Sequence, residues 1–378
     1  MIKKISFFIL KHFYSRVISP KNKIVFISEG HSGCNSRAQF TYTKTKEISY
    51  EIELIDSKKY DKSSFTGFCS FIKKLCEAKV LASTHGPIIL KGRKTFDFWH
   101  SVHLKATGAM EIKKNRGRIK TDWDYVDGLA SYSSFYTTSM SACFLSDPHK
   151  FKITGVPRND LLYNTDSREK LLKVLKSKRT DAKVLFFAPT FRLGYGEDQG
   201  NKDFSNIFGL EKFDSSLFNK FLKENNHIFV YKLHPNEEPF LGQYINNIDP
   251  EFSFNLSNTV LEKENLDLYE VLGGVDLLIT DYSGIYFDFL LLNRPCVFCP
   301  IDLEAYTKNR GFLMDPYDDW TPGPKVYGQS DLQEEIDKSI SDKRYFEEDR
   351  LRLNRIINHF HDGRSRSRIQ SELEKLLL

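Results

Sequence analysis

Seven short apolar, β-branched runs punctuate the chain: KIVFIS (23–28), YEIELID (50–56), KVLAST (79–84), KVLFFAPT (183–190), HIFVYKLHP (227–235), VDLLITD (275–281) and RPCVFCP (294–300). Helix-length stretches such as SREKLLKVLKSKRTD and SSLFNKFLKENN lie between them. Brief continuous strands alternating with helices predict parallel sheets covered on both faces, because a parallel connection needs a crossover long enough to hold a helix. The runs form two sets, separated by DPHKFKITGVPRNDLLYN with its Pro148, Gly155 and Pro157. The expectation is therefore an α/β protein of two doubly wound, Rossmann-like domains facing a cleft, residues 1–165 and 166–378. The charged amphipathic tail from Ser339 to Leu378 reads as helix, its last part packing back on the first domain.

A chain of 378 residues is long enough for two cores, and 31 Phe with 18 Tyr supply the bulk to fill them. A composition of 40% hydrophobic and 28% charged residues is a globular balance, so disorder is not the default. The net charge of +5 suits a polyphosphate ligand or an anionic membrane, and gives no reason to expect nucleic acid as a partner. The six cysteines are scattered, and the one close pair, Cys296 and Cys299, has no second pair or nearby His to complete a metal site. They read as buried, reduced thiols.

No segment is long enough to span a bilayer, and the apolar run Ile5 to Leu10 is too short for a secretory signal and is followed by Lys11 and His12. By elimination the expected location is the cytoplasm. The first segment, MIKKISFFILKHFYSRVI, mixes Lys3, Lys4, Lys11 and Arg16 with Ile5, Phe7, Phe8, Leu10, Phe13 and Val17. It fits a helix lying on an anionic membrane surface, and equally an N-terminal helix packed on its own domain.

Open α/β sheets bind ligands beyond the carboxyl ends of their strands, so strand-end residues are the ones to inspect. The run Leu277 to Thr280 ends in Asp281, Tyr282, Ser283 and Gly284. A helix starting there offers free N–H groups and a hydroxyl to a phosphate, with Asp281 orienting neighbouring donors; a Ser or Asp helix cap uses the same residue types. A second strand ends in Lys232, Leu233, His234 and Pro235, which supplies a cation and an imidazole for a pyrophosphate or a simple turn. The first half carries His85 and Gly86 in STHGP, and His100, His103, Lys105 and Gly108 in FDFWHSVHLKATG. An imidazole with a pKa near 6.5 can take a proton from an attacking hydroxyl at neutral pH. Metal binding by His100 and His103 is disfavoured, because no acidic residue is close in sequence, and no cofactor is expected.

In order along the chain, TGVPRNDLL (154–162), FAPTFRLG (187–194), KLHP (232–235), ITDYSGIYFDFLLLNRPCVFCPIDLEAYTKNRGFLMDP (279–316) and TPGP (321–324) resemble the CDP-glycerol glycerophosphotransferase family, which builds teichoic acid and related capsule polymers. The resemblance implies a glycosyltransferase-B-like (GT-B-like) fold whose C-terminal domain holds a CDP-activated alditol. It makes His100 the general base toward an acceptor hydroxyl, and His234 a second essential histidine that holds the pyrophosphate with Ser283 and Arg310 as CMP leaves. Lys232, Thr190, Asp281, Tyr282 and Gly284 join the donor set by the same resemblance. Arg158, Asn159 and Asp160 match its PRND element, as substrate contact or as a linking turn. The implied partners are a CDP-alditol donor and a membrane-linked or oligosaccharide acceptor, with peripheral attachment to the inner face of the membrane.

The chain departs from the family at the acceptor side. Where the family usually has Trp-His-Gly-Thr-Pro-Leu-Lys, residues 99–105 read Trp-His-Ser-Val-His-Leu-Lys. Two rival readings stand beside the transferase. One is a nucleotide-sugar glycosyltransferase on the same scaffold. The other is a non-catalytic protein that binds a membrane surface.

Overall fold

The computed structural model describes residues 2–111, 122–190, 206–234, 237–238, 242, 245 and 247–378, with side chains described from Leu10 onward. Residues 191–194 of FAPTFRLG, Pro235 of KLHP and the side chains of residues 2–9 lie outside that description. The chain divides into two compact units. The first comprises Met1–His100, Arg118–Leu161 and Asn358–Leu378; the second comprises Ser101–Gly117 and Leu162–Ile357.

The first unit holds a six-stranded parallel sheet of β1 (Lys21–Ser28), β2 (Glu51–Asp56), β3 (Ala78–Ser83), β4 (Lys94–Asp97), β5 (Gly128–Ser131) and β6 (Phe151–Ile153), in the order β2-β1-β3-β4-β5-β6. Val25, Ile27 and Leu81 from its central strands pack with Phe71, Ile72 and Leu75 of the helix Phe65–Cys76, with all six side chains at most a few per cent exposed. A strand whose residues are buried on both faces carries an unbroken apolar run, which is why KIVFIS reads as strand. The helix Ile2–Val17 is fixed at its end by the buried Arg93 guanidinium, which donates to the carbonyl of Ser15 over 2.5 Å and to that of Ile18.

The second unit holds a five-stranded parallel sheet of β7 (Lys183–Phe187), β8 (His227–Tyr231), β9 (Ser253–Asn255), β10 (Leu277–Thr280) and β11 (Cys296–Phe298), in the order β11-β10-β7-β8-β9. Leu185, Phe229, Leu277 and Val297 meet Phe218 and Leu222 of the helix Ser215–Glu224 and Leu332 and Ile336 of the helix Gln329–Ser341. All six cysteines are free and buried.

Each sheet reverses its strand order once: between β1 and β3 in the first unit, and between β7 and β10 in the second. At such a reversal the connecting helices leave to opposite faces, which opens a crevice beyond the carboxyl ends of those two strands.

The last helix, Ser365–Leu377, belongs to the first unit. Its start is held by Asp160, whose carboxylate accepts the N–H of Ser365 and of Arg366, each over 2.8 Å, and Nε of Arg366 over 3.2 Å. Gly155, at φ +71°, lets the β6 turn approach this helix; a Cβ there would lie 2.3 Å from Ser365 Oγ. The aspartate of the PRND element is thus a helix anchor.

Candidate active site

At the reversal of the first sheet, β1 ends in Ser28 and is followed by Glu29, and β3 ends in Ser83 and is followed by Thr84 and His85. Beside them β4 ends in Asp97, two residues before Trp99. Trp99 has φ +53°, a left-handed conformation that a bulky residue adopts only where its surroundings hold it. The hold is visible on both sides of the residue. Asp97 Oδ1 accepts the Trp99 N–H over 2.7 Å, and Asn35 Nδ2 donates to the Trp99 carbonyl over 2.7 Å. The indole packs edge-on against Trp123 and Phe144, with centroids 5.1 and 4.7 Å away. His100 follows, half-buried, its ring 4.3 Å from the Trp99 indole and 4.9 Å from His85. Burial depresses the His85 pKa, and the positive charges of Arg158 and Lys58 add to this against the pull of Glu29.

Arg158 and Asn159 are buried in the same unit as His100. The Arg158 backbone N–H donates to Asn35 Oδ1 over 3.1 Å, and its Nη1 donates to the carbonyl of Gly33 over 3.1 Å. Burial pushes the Asp97 carboxyl up to about 7, although Ser83 Oγ and the Trp99 N–H donate to it.

In the second unit, the loops after β7 and β10 are tied at the reversal point. Asp281 Oδ1 accepts the Thr190 N–H over 2.7 Å and the Tyr282 N–H over 2.5 Å, while Thr280 Oγ1 donates to the Ala188 carbonyl over 2.7 Å. Asp281 therefore organises two loops. Tyr282 is fully buried, with its hydroxyl on Asp302 Oδ1 at 2.9 Å and its ring stacked on Tyr306 at 4.1 Å, so any contact from Tyr282 to a ligand is through its backbone.

Ser283 is half-buried, and its hydroxyl makes no hydrogen bond to the described residues. Nor does it cap the helix Ile285–Phe289, whose capping residue is Gly284. The backbone of Gly284 touches the segment that follows His100: a Cβ there would lie 2.3 Å from the Val102 carbonyl oxygen. The same segment pairs with residues 311–314, through Lys105 opposite Phe312 and through the N–H of Ala106 on the Gly311 carbonyl at 3.0 Å. His103 lies within it. Burial, with the charges of Lys105 and Arg310, pushes its imidazole down to about 3, so it is neutral at physiological pH.

Arg310 ends the helix Leu303–Asn309, with Nη2 3.6 Å from Glu111 Oε1. Lys232 and His234 follow β8. The Lys232 ammonium donates to Asn258 Oδ1 over 2.7 Å, and burial lowers its pKa against the pull of Glu238 and Asp267. The His234 carbonyl accepts the N–H of Glu237 over 2.8 Å. Among the described residues no group of three or more His, Cys, Asp or Glu is placed to hold a metal ion.

Of the residues read from sequence, Lys232, His234, Thr190, Asp281 to Gly284 and Arg310 belong to the second unit, and His100, Arg158 and Asn159 to the first. Asn35 and Asp97 escaped that reading. Asp97 had one available signal, its place two residues before Trp99, but its four-residue strand is too short to show a pattern.

The family described as CDP-glycerol:poly(glycerophosphate) glycerophosphotransferase matches residues 9–375. The chain belongs to this family. It is a transferase that moves an alditol phosphate from a CDP-activated donor to an acceptor hydroxyl.

Among curated members, it is 28% identical over 355 residues to the teichoic acid poly(glycerol phosphate) polymerase of Bacillus spizizenii, covering 85% of this chain and 84% of that protein. It is 27% identical over 375 residues to the teichoic acid poly(ribitol-phosphate) polymerase of the same organism, covering 93% of this chain but 56% of that protein. Among solved structures, the wall teichoic acid polymerase TagF superposes with a TM-score of 0.73 at 18% identity, covering 99% of this chain and 97% of that one. That likeness establishes the GT-B-like fold of this family member.

Proposed function

We propose that this glycerophosphotransferase family member transfers glycerol phosphate or ribitol phosphate to a hydroxyl on a membrane-linked or oligosaccharide acceptor. The acceptor oxygen attacks the β-phosphorus of the CDP-alditol, the bond to the CMP oxygen breaks, and a phosphodiester forms. His100 takes the hydroxyl proton. Ser283, His234, Lys232 and Arg310 hold the diphosphate and stabilise the charge left on CMP. Little covalent chemistry falls to the protein, so positioning and fixed donors supply most of the barrier reduction.

The observation that supports the reading is the division of labour at the second sheet's reversal. Asp281 is engaged with the Thr190 and Tyr282 N–H groups, which leaves the neighbouring Ser283 hydroxyl for an incoming phosphate oxygen. The test is CMP release from CDP-glycerol and CDP-ribitol with a suitable acceptor. His100→Ala and His234→Ala should each lower turnover by at least about a hundredfold in a folded protein. Near-wild-type rates would remove those two assignments, and release of UDP or GDP from nucleotide sugars in place of CMP would overturn the donor class.

Among the described residues no helix is long and apolar enough to cross a membrane. Peripheral attachment is part of the proposal. The helix Ile2–Val17 is anchored through Arg93, and it leaves Phe13 and Val17, one helical turn apart, 56% and 57% exposed. Replacing both with Ser should weaken binding to anionic vesicles; unchanged binding would remove this part of the reading.

A further inference from the structure

We infer that Asn35 and Asp97 are positioning residues that set the orientation of His100 by clamping the backbone of Trp99 from both sides. The inference rests on the reading of His100 as the base. The residue before His100 is held at a positive φ, and its two polar backbone groups are fixed by two fully buried side chains. Asp97 Oδ1 takes the N–H and Asn35 Nδ2 supplies a donor to the carbonyl, each over 2.7 Å.

Both clamps are themselves braced. Ser83 Oγ donates to Asp97 Oδ2 over 2.6 Å, and the Arg158 N–H donates to Asn35 Oδ1 over 3.1 Å. The Asn35 amide thus uses its donor toward Trp99 and its acceptor toward Arg158, and a flipped amide would put oxygen against oxygen and N–H against N–H. A rigid support of this kind matters for a base, because a displacement of about 1 Å costs on the order of a hundredfold in rate.

The two clamps need opposite chemistry. At Asn35 the requirement is a donor, so Asn35→Asp should fail even though its shape is conserved. At Asp97 the requirement is an acceptor, so Asp97→Asn should restore what Asp97→Ala loses. The experiment is steady-state CMP release from CDP-glycerol, together with NMR of the histidine ring signals, the His100 signal being assigned by its loss in His100→Ala.

Asn35→Asp and Asp97→Ala should lower kcat by roughly ten- to a hundredfold, leave the KM for CDP-glycerol within about threefold, and shift the His100 ring signals. In the His100→Ala background, Asn35→Asp should add little further loss. Full additivity there, or unchanged His100 signals in Asn35→Asp and Asp97→Ala, would overturn the clamp. If Asp97→Ala fails to fold, the contrast between Asn35→Asp and Asp97→Asn decides alone, and equal effects of the two overturn it. A normal rate for His100→Ala would instead dismiss the base, while the ring signals would still report on the clamp.

Discussion

Asp281, just beyond β10, accepts the backbone N–H of Thr190, in the loop that follows β7, over a distance of 2.7 Å. This contact accounts for an aspartate beside the proposed phosphate site. It joins the loops on either side of the sheet reversal and takes the Tyr282 N–H as well. Asp281→Ala leaves two buried N–H groups without that acceptor, at a cost of about 1–3 kcal/mol each. Urea unfolding should show the second unit destabilised by roughly 2–6 kcal/mol. Asp281→Asn keeps an oxygen at Oδ1 and should lose markedly less, whereas equal losses would mean that the charge, not the acceptor, matters.

Gly284 adopts φ −67°, which any residue can adopt, so its importance lies in the space around it. A Cβ would stand 2.3 Å from the Val102 carbonyl oxygen, a backbone atom that cannot swing aside. Gly284→Ala should separate the Ser101–Val102 segment from the Ser283 loop. The expected result is a roughly tenfold or greater rise in the KM for CDP-glycerol together with a lower Tm. Ser283→Ala, which creates no clash, should weaken the donor without the loss in Tm. A Gly284→Ala protein with unaltered KM and Tm would show that the contact has no bearing on donor binding.

Strands β7 and β10 were legible because burial on both faces leaves an apolar run: VLFF of β7 and LLI of β10 are completely or almost completely buried. Strands β5 (GLAS), β6 (FKI) and β9 (SFN) mix small or polar residues into three or four positions and form no apolar run, so their place is set by the neighbours they pair with. Ser283 and His234 were legible as candidates because they follow strands whose ends are where such sheets bind ligands, and His100 through its histidine cluster and the family resemblance. Asn35 was not: its partner Trp99 is 64 residues away, and no local pattern announces a contact made by tertiary closure. The same holds for Asp160, whose partners lie 205 and 206 residues further on.

Asp160 offers a direct test of that long-range contact. Its carboxylate accepts two N–H groups from the first turn of Ser365–Leu377, which have no partner within the helix itself. Asp160→Ala should therefore loosen the start of this helix. Hydrogen exchange at Ser365 and Arg366 should accelerate by at least about tenfold, corresponding to roughly 1.4 kcal/mol of lost local stability, while β7 and β10 amides stay protected. Unchanged exchange at these two amides would place the anchor elsewhere.

Asp97 predicts an inverted pH dependence of stability for a carboxylate. Its pKa is raised by burial from an ordinary value near 3.9 in the unfolded chain to about 7 in the folded one. Between these values the folded protein keeps a proton that the unfolded chain has released, so the contribution of Asp97 is fully present below about pH 4 and is lost as pH rises through about 7. Three units correspond to a fall on the order of 4 kcal/mol. Asp97→Asn cannot ionise, yet keeps an acceptor for the Trp99 N–H. Its stability relative to the parent protein, from urea unfolding at closely spaced pH values, should climb from about pH 4 to about pH 7 and then level off. A difference that is flat across that window, or that changes only below pH 4, would mean the carboxylate is charged in the folded state and that Ser83 and Trp99 compensate its burial in full.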